Sequence, residues 1–189
     1  MNRIRILKPN VTQEQAILQF TSRGLSKLLR EAAFGPLRSV AELYLPFRLF
    51  AVRITNRGVT EERLIAIDLL AGILDPFQFD HVPSEAETLL VDTRNFPKQR
   101  LVDAQAADLL VGKVRRFLYS RGFFRMSNLE IAATPVDREF HIPYWVGFRG
   151  SEGRARLAVI DAVRRRFEGA KVRRLVENWL AATDFTAEH

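Results

Sequence analysis

The amino-acid sequence predicts an α+β fold: two related helix plus β-hairpin units, an internal duplication, forming one antiparallel or mixed sheet covered by helices. Three observations lead there. "AELYLPFRLFAVRI", residues 41–54, alternates as a strand does, with Leu45, Phe47, Leu49 and Ala51 on one face. The same pattern returns at Ile142, Tyr144, Val146 and Phe148, with Pro143 where the first copy has Pro46. The answering strands, "RLIAID" at 63–68 and "RLAVID" at 156–161, agree at four of six positions. Agreement in pattern, proline placement and strand ending indicates a repeat.

Taken in order, Thr12 is the N-cap of a first helix, with Gln15 three residues on completing a capping box. Helical character is expected to continue through "LSKLLREAAFG" to the stop signal Gly35-Pro36. "TNRGVTEE" then turns the first hairpin. A proline inside a strand cannot donate a ladder hydrogen bond, so Pro46 and Pro143 are expected on an edge or at a bulge. The connection at 78–100 is irregular, with one short strand at "ETLLVD". A second helix follows, its apolar stripe at Ala107, Leu110, Val114, Phe117 and Leu118. "MSNLEIAATPVDREFHIPYW" reads as a strand leading into the second hairpin. A last helix carries Val172, Leu175, Val176, Trp179 and Leu180. One globular domain is expected over residues 1–189, with repeats at about 12–77 and 101–183.

Composition narrows the functional classes. With 47% hydrophobic and 27% charged residues the chain is of the folded, globular kind. The absence of cysteine excludes disulfides, thiolate nucleophiles and Cys-based metal sites. The N-terminal "MNRIRILKPNVTQEQ" has no apolar signal core, and the longest apolar run, "LIAIDLLAGIL", is 11 residues with Asp68 inside it. A bilayer span needs about 20. The expectation is a soluble, cytoplasmic protein.

Motif searches leave catalysis without a candidate. His81, His141 and His189 are not at metal-ligand spacing, and no phosphate-binding, dinucleotide-binding or nucleophile-elbow motif is present. No metal and no cofactor are expected. Asp68 and Asp161 are equivalent strand-ending carboxylates, which in most proteins accept backbone N–H groups of the following turn. "IDLLAGIL", with Asp68 at a strand end and Gly72 four residues later, resembles the hairpin closure of PepSY-type modules. The resemblance covers about a third of the chain. The second copy departs from it, because Arg165 stands in the place of the glycine.

The net charge of +7 comes mostly from arginine, 24 against 5 lysines. Residues 113–174 hold 15 Lys plus Arg against 6 acids, while 75–92 hold five acids and no Lys or Arg. Arginine's planar fork suits phosphate and carboxylate. The expected function is therefore a non-enzymatic binding protein engaging an anionic partner, nucleic acid first and an acidic protein surface second. Its candidate residues are Arg115, Arg116, Arg149, Arg164, Arg165, Arg166, Lys171, Arg173 and Arg174, with Trp145 as a stacking surface. Replacing Arg164, Arg165 and Arg166 by the "AGI" of the first copy is expected to leave folding intact. The alternative is a small-molecule anion-binding protein or enzyme with a pocket between the hairpins, using Arg48, Arg149 and Asp68 or Asp161. Arginines dispersed on one convex face favour nucleic acid; two converging on a concavity favour a small anion. A further reading pairs the basic region with the acidic segment of a second copy, as a homodimer.

Overall fold

The computed structural model describes residues 2–21, 35–122, 128–150 and 156–184. Strand β1 (Asn2–Leu7), helix α1 (Gln13–Phe20), the hairpin β2 (Leu37–Asn56) and β3 (Val59–Asp68), and β4 (Phe77–Phe79) come first. A 3-10 turn at Glu85–Glu87 leads into β5 (Thr88–Thr93) and α2 (Asp103–Gly122). Then follow β6 (Glu130–Arg149), β7 (Arg156–Asp161), β8 (Arg166–Phe167) and α3 (Ala170–Asp184). The strands make one curled mixed sheet, ordered β4-β3-β2-β6-β1-β5, with β7 also paired to β6 and carrying β8. Among the described strands only β1 against β6 is parallel.

Local chemistry accounts for the elements. Both bonds of the Thr12 capping box form, Gln15 N donating to Thr12 Oγ1 at 3.3 Å and Thr12 N to Gln15 Oε1 at 3.1 Å. The expected continuation of this helix over 25–34 lies outside the described residues. In the first hairpin, Arg57 and Gly58 both take positive φ, 53° and 78°, a primed turn whose twist matches that of the flanking strands. The strand expected at "ETLLVD" is β5, shifted by one residue to Thr88–Thr93. Strand β1 was not anticipated, although Arg3-Ile4-Arg5-Ile6 does alternate; Ile4 and Ile6 are buried against Tyr44.

The prolines correct the expectation of an edge or a bulge. β2 and β6 are central strands paired to each other, with Pro46 opposite His141 and Pro143 opposite Tyr44. The β2–β6 register shifts fall elsewhere, near Ser39 and Leu49. Each proline is tolerated because of where its hairpin partner ends. Pro46 O accepts from Leu69 N at 2.9 Å, and Pro143 O from Ala162 N at 3.1 Å. The N and C=O of one strand residue point the same way, so each proline nitrogen faces the β3 or β7 side. There the ladder has just finished, at Phe47↔Asp68 and Tyr144↔Asp161, so the missing N–H deprives no strand acceptor.

Alternation divides the core. Leu45, Phe47, Leu49, Ile142, Tyr144 and Val146 cluster with Val172, Leu175 and Val176 of α3. The opposite residues of the first hairpin, Phe50, Val52, Ile65 and Ile67, pack with Ala106, Leu110 and Val114 of α2. Those of the second, Trp145 and Ile160, pack with Ala16 and Phe20 of α1. Helix α1 thus meets the second hairpin, which is remote from it in sequence, while α3 packs on residues of both hairpins. Phe20, only 1% exposed, contributes about 2–3 kcal/mol by burial alone.

Candidate anion-binding groove

The turn after β3 is built on one carboxylate. Asp68 Oδ1 accepts from the backbone N–H groups of Leu70, Ala71 and Gly72 at 3.2, 2.9 and 2.9 Å, and Oδ2 accepts from Leu74 N at 2.9 Å. Leu69 O in turn receives Arg100 N at 2.8 Å and Leu101 N at 3.0 Å, which ties the segment entering α2 to this turn. Against the same turn runs α3, anchored by buried Leu175. Between them lies a groove of about 260 Å³, lined among others by Arg100, Arg174, Asn178, Trp179 and Ile73. Arg100, Arg174 and Asn178 are exposed and Trp179 is half-buried. Among the described residues no carboxylate pairs with Arg100 or Arg174.

The residues singled out from sequence are distributed differently. Trp145 is buried, 6% exposed, and donates its Nε1–H to Val11 O at 2.9 Å. Arg149, four residues further on, is also buried and donates to the carbonyls of Phe20 and Gly35. Arg164 reaches across to the other half. Its Nη2 donates to Pro76 O at 2.9 Å and its guanidinium lies 3.2 Å over the Phe77 ring. Arg166 pairs with Glu168 at 3.1 Å and Lys171 with Asp75 at 3.6 Å. Arg115, Arg116 and Arg165 are exposed, on α2 and on the turn after β7, and Arg173 is half-buried on α3.

The pocket imagined between the hairpins does not gather its residues. Arg48 pairs with Asp103 at 2.9 Å and Glu139 at 3.5 Å. It faces Glu139 across the β2–β6 ladder, ten residues from Arg149, or roughly 33 Å of extended strand. Asp161 is buried like Asp68 but less well served. Its Oδ1 accepts from Val163 N at 2.9 Å and Arg164 N at 2.7 Å, while Oδ2 has no hydrogen-bond partner among the described residues. Burial pushes this carboxyl above its ordinary value, opposed by those N–H groups and by the Arg164 charge. Neither aspartate has an oxygen free of backbone and presented to solvent. Among the described residues no three metal-ligating side chains come together, and no helix is long and apolar enough to cross a membrane.

Arg100 was not identified from sequence. The available signal was "RNFPKQR", residues 94–100, with three cations and no acid in an irregular connection. Searches of protein families, curated proteins and solved structures found no match to this chain. The PepSY-like ending of the first hairpin therefore stands as a local resemblance.

Proposed function

We propose that the protein binds a small organic anion in the groove between the Asp68 turn and α3. The observation that carries this reading is the convergence of Arg100 and Arg174, neither paired with a described carboxylate, on one concavity. An anion lodged in the groove would accept charge-assisted hydrogen bonds from both guanidiniums. Both reach from fixed anchors: the backbone of Arg100 is bonded to Leu69, and Arg174 neighbours buried Leu175. The broad basic surface is the weaker basis for a function, because Arg149, Arg164, Arg166 and Lys171 are engaged inside the protein or in ion pairs.

The fold behind this groove is, in the same proposal, a duplicated unit. Leu45 and Ile142, equivalent by the repeat, face each other in the β2–β6 ladder, as a local twofold axis requires. Val102 N donates to Gln105 Oε1 at 3.3 Å as Thr12 N donates to Gln15 Oε1, and Asn10 N meets Ala162 O as Arg100 N meets Leu69 O. The groove then belongs to one unit only, since asparagine stands at position 10 where the other unit has Arg100.

Calorimetric titration with pyrophosphate and with citrate tests the binding reading. Saturable binding is expected, weakening as salt is raised. Arg100→Gln and Arg174→Gln should each weaken it about tenfold or more, with unchanged unfolding midpoints. Binding that the double variant retains in full would sink the proposal.

A further inference from the structure

Resting on that reading, we infer that the groove's ligand is a free nucleoside phosphate, its base lying on Trp179 and its phosphate between Arg100 and Arg174. The groove is not a bare anion cradle. Besides its two guanidiniums and the Asn178 amide it is walled by Trp179, Ile73 and Leu70. An inorganic anion would leave this apolar wall wet, whereas a planar ring would cover it. Free volume also adjoins the indole on a second side: Trp179 lines a neighbouring cavity of about 100 Å³ with Val146, Phe148 and Leu180. The indole is thus a half-buried wall shared by both spaces, a surface on which a planar ring can stack.

Spacing on α3 arranges the parts. Arg174 and Asn178 are one turn apart and share a face, with Trp179 next to the amide. Phosphate at one end and ring at the other follow this order, and the amide offers both a donor and an acceptor to a base edge. The volume of about 260 Å³ suits one nucleotide unit rather than a strand. Stacking ligands alter tryptophan emission, and the chain has two tryptophans, Trp145 being buried away from the groove.

The test is a fluorescence and calorimetric titration with AMP, CMP, adenosine, pyrophosphate and a ten-residue oligothymidine. AMP is expected to change tryptophan emission saturably and to bind at least about tenfold tighter than adenosine or pyrophosphate. Trp179→Leu should abolish the emission change and weaken AMP about tenfold, while Trp179→Phe restores most of the affinity. If pyrophosphate binds as tightly as AMP, and Trp179→Leu leaves both unaltered, the ring plays no part. The nucleotide inference then falls, although the anion groove survives. Tighter binding of the oligothymidine than of any mononucleotide would make the ligand a strand and also overturn it. If no anion binds, both readings fail together.

Discussion

Gly72 and Arg165 hold the same left-handed backbone conformation, φ 62° and 57°, each four residues past the aspartate that closes its strand. The conformation follows from what the aspartates do. A carboxylate that collects the next backbone N–H groups winds the chain into a tight turn, and leaving that turn requires a positive φ. Glycine meets the requirement without cost. A residue with a Cβ loses about 1–2 kcal/mol.

Arg165 is accordingly a point of stored strain. Arg165→Gly is expected to raise the urea midpoint relative to Arg165→Ala, by about 1 kcal/mol in unfolding free energy. The alanine comparison removes the effect of charge. The reciprocal change, Gly72→Ala, should destabilise by a similar amount or more, since its Cβ would stand 2.7 Å from Leu109 Cδ1. Equal midpoints for Arg165→Gly and Arg165→Ala would show that the turn carries no strain.

Arg164 differs from its two neighbours, and here the expectation that "RRR" is freely replaceable meets a specific contact. Its guanidinium bridges Pro76 O and the Phe77 ring and lies 3.9 Å from Asp161 Oδ2, the oxygen without another partner. Arg164→Ala should destabilise by about 2–3 kcal/mol, because it strands a buried charge as well as a carbonyl. Arg165→Ala and Arg166→Ala should stay within about 0.5 kcal/mol. Arg164→Lys keeps the charge but lacks the planar fork, so its urea midpoint should fall between them. An "AGI" replacement that unfolds like the wild type would refute this assignment.

What could be seen in advance follows from how local each signal is. The two hairpins were legible because alternation and a shared strand ending are written within a few residues. The choice of partner for each helix was not. Nothing in α1 says that Phe20 will meet Trp145 rather than the hairpin that follows it in sequence. For the same reason Trp145, read as a stacking surface, turns out to be buried against α1. Nor do the letters of the basic run show that Arg164 reaches Pro76 and Phe77 while Arg165 and Arg166 stay exposed. Arg100 comes to line a groove with Arg174 only when α3 arrives from 74 residues away.

Half-buried His141 and buried Asp161 make opposite pH predictions. Burial lowers the His141 pKa below its usual 6.5, partly offset by its contact with Arg5 O. In the window just below 6.5 the unfolded chain binds more protons, so His141 contributes stability that is lost as pH falls. Asp161 is raised above 3.8 by burial, so between that value and its folded pKa the native chain binds more protons. It loses stability as pH rises through that window. The groups facing these two include Phe96 and Arg5 O at His141, and Arg164, Glu168 and Tyr144 at Asp161. Urea midpoints measured from pH 4 to 7.5 separate the contributions. His141→Gln should flatten the decline on acidification from 7 to 5, and Asp161→Asn should remove the gain that appears nearer pH 4. Glu87, held down to about 2 by Ser84 and His81, adds its own loss as pH falls below 4.5, in both variants alike. If the His141→Gln profile runs parallel to the wild type, the imidazole is not held neutral by the fold.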